Sequence, residues 1–363
     1  MKKGSILLVL IFVSNLCFAQ FVTAQKEAES LVTGLLETYP GLSVAVGYGD
    51  EIVWKSGFGY ADILNETTVT PSHQFRYYSL SKSITGIALI KLIESEKLDI
   101  ERPITDYLTD LPPAYKDVKV KYLINHTAGV RHYNGGEWMK ISQQNCVDAS
   151  EALNTFIESD LESVPGEKYS YSSFGYVILS RLIEVLSGQS YNAYVKQSIL
   201  DPLGIESIHP DQSELLNTEV THYSKWNASK VKGKEAALVN NSCKFGGGGF
   251  VGTAEAIVKL HLGIANGLLF SDELLKLYYS GIPTSLREET GYAFGIGDGE
   301  SSAGGRYHGH TGSALGASAV LLVYEKSETL PKPLVLAILG NIKDAEMNAQ
   351  AGKVAELFKK EID

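Results

Sequence analysis

Cysteine, methionine and tryptophan each occur only three times in these 363 residues. Cysteines at 17, 146 and 243 cannot build the framework of a small disulfide scaffold, and the wide spacing of Cys146 and Cys243 leaves their pairing open. No C-x-x-C, H-E-x-x-H or Walker-type glycine loop is present, so metal and phosphate-loop chemistry has no strong signal and no cofactor is implied. His308 and His310 spell H-x-H, but no acidic residue follows at metal-site spacing. The G-x-S-x-G elbow is missing too, since the run from Gly41 to Ala45 ends one glycine short of it. After the first segment no stretch reaches the ~20 apolar residues that span a bilayer. A net charge of −10 argues against nucleic acid or an anionic membrane surface as principal partner. It leaves a small-molecule site open, because one local cation there outweighs the global sign.

What is present begins with a secretory signature. Lys2 and Lys3 precede an apolar run from Ile6 to Val13, and Cys17-Phe18-Ala19 supplies a cleavage site. Residues 1–19 are therefore expected to be a signal peptide, and residues 20–363 one secreted or periplasmic domain without stable membrane insertion. The spacing predicts an amphipathic helix over 25–38, then strands from Leu42 to Tyr48 and Glu51 to Phe58 turned at Gly49-Asp50. A helix apolar on most sides starts near Ile84, and another runs from Tyr176 to Leu186 with Gly188 as its cap. Strands from Ala317 to Tyr324 and Leu334 to Leu339 follow, joined through Pro331 and Pro333, and a helix from about Asp344 to Lys360 ends the chain. Strands at both ends with helices between predict an α+β architecture. It has one antiparallel sheet built from both termini, a helical lobe inserted at roughly 85–250, and a cleft between them. Residues 205–245 are polar and lysine-rich, with pieces that could form a hairpin over that cleft.

Ser79-Leu80-Ser81-Lys82 is an S-x-x-K at the start of the buried helix. The i to i+3 spacing puts Ser79 and Lys82 on one face. A serine hydroxyl is a weak nucleophile until a base takes its proton, and a desolvated lysine can be partly neutral and serve as that base. A second S-x-x-K, Ser229 to Lys232, lies in a polar stretch with nothing to desolvate its lysine. Tyr171 and Ser173, in the run YSYSSFGY before the second buried helix, offer a proton relay for Ser79 and a donor to a substrate carbonyl. His310-Thr311-Gly312 opens the late strand region. Gly312 there lets substrate approach the backbone, and the Ser313 N–H joins the Ser79 N–H as an oxyanion hole. Arg131, His132 and Tyr133 either border the cleft or pack a loop.

In this order the three elements resemble the S-x-x-K, Y-x-N and K-T-G triplet of serine beta-lactamases, DD-peptidases and related esterases. The runs YSLSKS, HTAGVRHY, YSYSSFGY and GHTGSALGASAVLLV are most similar to the mitochondrial serine beta-lactamase-like branch and its bacterial relatives. DPLGI (201–205) and GGGGFVGTAEAI (246–257) fit as well. The resemblance implies the beta-lactamase/transpeptidase-like fold, an acyl-enzyme on Ser79, and proton transfer by Lys82 and Tyr171. It also implies substrate contacts from Ser173, His310, Gly312 and Ser313. The expected substrate is a small molecule or short peptide, favouring peptides with D-residues. The alternatives are an ester, a beta-lactam, or binding without turnover by a sensor of peptidoglycan fragments; an oligomer stays open. Ser173 stands where the family has Asn, and His310 where it has Lys. If His310 holds a substrate carboxylate as imidazolium, preference for a free carboxylate over its amide should grow as pH falls from roughly 8 to 6.

Overall fold

The computed structural model describes residues 20–212, 219–280, 291–301, 305–343 and 347–362. The expected signal peptide and Asp344 lie outside these. Three strand sequences carry apolar residues at nearly every position: β1 (Gly41–Tyr48), β6 (Ala317–Tyr324) and β7 (Leu334–Gly340). A strand buried on both faces must sit centrally. They form the middle of a seven-stranded sheet with β2 (Glu51–Asp62), β3 (Thr67–Thr68), β4 (Gly297–Glu300) and β5 (Arg306–Ala314), in the order β3-β2-β1-β7-β6-β5-β4. β1 lies antiparallel to β7 with Leu42 opposite Gly340 and Tyr48 opposite Leu334, so both ends of the chain meet at the sheet centre.

The two-residue period of a strand divides the core. Val44, Val46, Val320, Leu322, Leu336 and Ile338 turn to one face, against helices α1 (Val22–Gly34) and α5 (Met347–Lys359). Ala45, Ala319, Leu321, Ala337 and Leu339 turn to the other, where α2 (Ser81–Glu94), α3 (Ser173–Ser187) and α4 (Ala254–Ala265) contribute. Gly47 leaves the space that Leu262 and Val258 of α4 occupy, as a Cβ there would stand 2.4 Å from Leu262. α3 is capped at its start by Ser172, whose Oγ accepts the Gly175 N–H, and at its end by Gly188 at φ +71. Among the described residues, no helix is long and apolar enough to cross a membrane.

The structure settles one question the sequence left open and departs from the sequence reading in two features. Cys146 and Cys243 are joined in a disulfide, tying the loop after Ile141 to the glycine run. Residues 306–314 are a full strand, so His310 to Ser313 lie within β5 rather than ahead of the next strand. The polar stretch does make a hairpin, Tyr223–Asn227 with Lys232–Glu235. It docks near Leu36 and Ile63 at the sheet edge, not over the cleft, because Trp226 donates to the Leu36 carbonyl (2.9 Å) and Gly233 packs on Ile63.

Two helical glycines separate packing from propensity. A Cβ at Gly86 in α2 would lie 1.6 Å from the Phe294 carbonyl oxygen, whereas at Gly352 in α5 it would meet nothing within 4 Å. Gly86→Ala is expected to lose about 1–3 kcal/mol through forced displacement, and Gly352→Ala to gain about 0.5–1 kcal/mol of helix propensity. Urea midpoints moving in the same direction for both would contradict this packing.

Candidate active site

The nucleophile candidate stands on a locked turn. Tyr77 donates its N–H to the Phe250 carbonyl (2.9 Å) and its hydroxyl to the Thr253 carbonyl (2.7 Å). These bonds hold the chain against the short three-stranded sheet of Phe75–Arg76, Phe250–Gly252 and Ile208–Pro210. Tyr78 then takes φ +45, a left-handed conformation rare for a bulky residue, while its hydroxyl reaches the Leu315 carbonyl (2.7 Å). This strained step opens the 3-10 turn Tyr78–Leu80 that presents Ser79, and α2 begins immediately after it. Ser81 points elsewhere, accepting the Phe250 N–H. Ser229 sits on the exposed hairpin turn, bonded only to its neighbour Asn227, and lies outside the site.

Lys82 is fully buried one helical turn from its origin. Its Nζ donates to the Gly247 carbonyl (2.5 Å) and meets the Ser173 hydroxyl (3.0 Å), 4.9 Å from the centre of the Tyr171 ring. Burial, and then the charge of Lys244, hold its pKa well below that of a free lysine. A neutral amine there spends its two N–H bonds on Gly247 and Ser173 and keeps its lone pair for a proton. Tyr171 is shifted the opposite way. Burial raises its pKa, and a hydrogen bond to the Ser79 hydroxyl opposes that rise only in part. Lys82 is thus disposed to accept a proton and Tyr171 to keep one.

Two histidines position the Tyr171-Ser172-Ser173 segment. His126 Nδ1 accepts the Ser172 N–H and His132 Nδ1 accepts the Ser173 N–H, each at 3.1 Å. An accepting ring nitrogen carries no proton, so both rings are neutral. The His126 ring lies 4.4 Å from that of Tyr171 and 4.5 Å from that of Tyr292. Burial and the nearby Lys82 push His126 well below its usual pKa, and His132 to about 4. The sequence reading missed His126 and left His132 undecided. The signal was the motif NHTAGVRHY itself, with its histidines six residues apart across a turn.

β5 brings the third motif alongside. β4 pairs only with residues 306–309, so among the described residues the 310–314 edge of β5 has no strand partner on that side and faces the nucleophile turn. Gly312 makes this approach feasible, since a Cβ would stand 1.9 Å from the Tyr77 carbonyl oxygen. This close contact is with the chain's own backbone. Ser79, Ser173 and Ser313 line one cavity of about 420 Å³ with His132, Tyr133, Trp138, Lys244 and Lys343. His310 does not join them; it lines a separate depression with Tyr169, Tyr171 and Tyr292.

The expected titration of His310 between pH 8 and 6 is also corrected. Its Nδ1 faces the Thr311 carbonyl (2.6 Å) and its Nε2 the Tyr292 hydroxyl (2.7 Å), so both ring nitrogens are engaged within the fold. Burial and the nearby Lys82 push its pKa down to about 3. That direction favours the neutral ring, against the imidazolium that pairing with a substrate carboxylate requires.

Histidines held neutral in the fold but free to charge when unfolded make stability depend on pH. Their folded pKa values lie below the ordinary 6.5, at about 4 for His132 and about 3 for His310. The unfolded chain therefore binds more protons between these values. Stability from this source is complete above about pH 6.5 and is lost as pH falls toward 4. Unfolding free energies in urea at pH 7.5, 6 and 4.5 should decline in that order, and less steeply in His132→Asn, where an amide oxygen can still accept the Ser173 N–H. A profile unaffected by the substitution would refute the neutral assignment of His132.

Comparisons with known proteins place the fold and the family. The serine beta-lactamase-like protein LACTB, mitochondrial, of Homo sapiens is 26% identical, the match covering 95% of this chain and 81% of that one. A D-amino acid amidase of Ochrobactrum anthropi SV3, solved with L-phenylalanine amide, superposes with a TM-score of 0.74 at 20% identity, covering 93% of this chain and 98% of its own. The octameric penicillin-binding protein homologue of Pyrococcus abyssi gives 0.74 at 22% identity over 92% and 76%. At those identities the solved structures speak for the fold, which is that of the penicillin-binding and beta-lactamase proteins. The beta-lactamase family itself matches residues 28–358, nearly the whole chain, and this protein belongs to it.

Proposed function

We propose that the protein is a serine hydrolase that acts through an acyl-enzyme on small amides or esters, with short or D-residue-containing peptides as the favoured substrates. The observation that carries this reading is the buried Lys82 amine, held by Ser173 and the Gly247 carbonyl 4.9 Å from the Tyr171 ring centre, three residues along the chain from the cavity-lining Ser79. Ser79 Oγ attacks the substrate carbonyl carbon while its proton passes to the Lys82 lone pair, directly or across the Tyr171 hydroxyl. The carbonyl oxygen, now negative, takes hydrogen bonds from the Ser79 and Ser313 N–H groups. As the intermediate collapses, Tyr171 hands a proton to the departing nitrogen or oxygen and is restored from Lys82. Water then repeats the sequence on the acyl-enzyme, with Lys82 as base. The amidase among the structural neighbours is consistent with amide substrates, and the octameric one with an assembly of several copies. A disulfide between Cys146 and Cys243 fits an oxidising, secreted or periplasmic setting.

Ser79→Ala should abolish covalent labelling by a fluorophosphonate and lower turnover by about 10³-fold or more, as removal of a covalent nucleophile does, while Ser229→Ala leaves both intact. Tyr171→Phe keeps the ring but removes the relay and should lower kcat by about 10²- to 10⁴-fold. Intact-protein mass spectrometry with a panel of esters, peptides and penicillins reads both steps. Stable adducts with no turnover of any compound would replace the enzyme with a sensor.

A further inference from the structure

Lys244 lines the Ser79 cavity on the loop between Cys243 and the glycine run, and only 4% of it is exposed. Its Nζ lies 5.3 Å from the Tyr78 ring centre and 5.6 Å from that of Trp138. Among the described residues it makes no ion pair or hydrogen bond through Nζ. The nearby carboxylate, Asp211, is committed to Arg76 (3.1 Å) and to the Asn241 amide. The loop that carries Lys244 is firmly fixed. The disulfide holds Cys243, the Lys244 N–H reaches the Asn241 carbonyl (2.9 Å), the Gly246 N–H reaches Ser180 Oγ (3.0 Å), and Phe245 is held at φ +38. Among the described residues the cavity lining holds a second cation, Lys343, and no aspartate or glutamate. A buried cation without a counter-ion is costly unless an anion arrives to use it. In a chain of net charge −10 this local positive site is conspicuous.

Which part of the substrate the cavity takes follows from the proton path. Tyr171 bonds the Ser79 hydroxyl and lines the depression with His310 rather than the Ser79 cavity. With Tyr171 as the proton donor of the reading above, the leaving group is assigned to its side. The acyl portion is left to the cavity that Ser79 shares with Ser173, Trp138 and Lys244. Resting on the acyl-enzyme reading above, we propose that Lys244 is a specificity-determining residue that binds a carboxylate on the acyl side of the substrate. The enzyme would then prefer acyl donors bearing a negative charge.

The test compares kcat/KM for the 4-nitrophenyl monoester of adipic acid with that for its methyl-capped, neutral counterpart. The parent should favour the monoanion by about tenfold or more, the usual worth of a hydrogen bond between charged groups. Lys244→Met should bring the ratio close to one, and Lys244→Arg should keep part of the preference. The groups facing Lys244 are Asp211, Arg76, Tyr78 and, across the cavity, Lys82. Burial, with Arg76 and against Asp211, pushes Lys244 down to about 8, so the preference should fade as pH rises from 7 to 9. Lys82 titration changes both esters alike and leaves the ratio untouched. That pH series on the parent stands even if Lys244→Met does not fold. Acylation of Ser79 by both esters with a ratio at or below one, or one indifferent to Lys244→Met and to pH, would overturn the role of Lys244 alone. No acyl adduct on Ser79 from either ester would overturn the hydrolase reading and this one with it.

Discussion

A fully buried lysine with, among the described residues, no carboxylate bonded to it is the constraint on which the site depends. Lys82 could lower its desolvation cost by pairing with an acid, but a paired lysine would stay charged and could not take a proton. The fold instead gives its Nζ a backbone carbonyl and a serine hydroxyl, and surrounds it with tyrosine rings. Holding an uncharged amine in place requires every neighbour to be rigid. This is why α2 is buried on nearly all sides and why its glycine at 86 presses directly on the Phe294 carbonyl.

The same demand explains the two neutral histidines. A ring at 126 or 132 protonated on Nδ1 would lose its role as acceptor. Their acceptor nitrogens set the backbone at Ser172 and Ser173, so the second motif is located by hydrogen bonds from a distant loop rather than by the helix it precedes. Strain collects where the motifs converge, at Tyr78, His126 and Phe245, each left-handed without being glycine. Such residues persist because the surrounding contacts over-determine them.

The parts of this arrangement legible in the sequence were those encoded locally. Alternating and continuous apolar runs located β1, β6 and β7, and Gly188 closed α3 as its position implied. Ser79, Lys82, Tyr171 and Ser173 stood out by spacing and by the resemblance, and they do converge. Residue types alone did not reveal partners set by the tertiary fold. His310 looked like a titrating cation until Thr311 and Tyr292 were seen on its two nitrogens. At Gly312 the need for a glycine was legible, but not that the Tyr77 carbonyl would occupy the place of its Cβ. Lys244 lay in an unremarkable polar stretch, and only the disulfide and the glycine run turn it inward.

The pairing of β1 with β7 carries a consequence for how the chain reaches this state. Leu42 and Gly340 face each other at the centre of the sheet, and the Asn341 side chain accepts the Gly41 N–H at 2.8 Å. While the chain is being made, the edge of β1 that β7 will cover has no strand partner until residues 334–340 emerge. Closing so long a loop is entropically slow. The hairpin meanwhile presents β1, apolar on both faces, as an open edge. Vectorial synthesis therefore leaves the nucleophile turn without β5 beside it until the end, and activity should appear only once the C-terminal strands have docked.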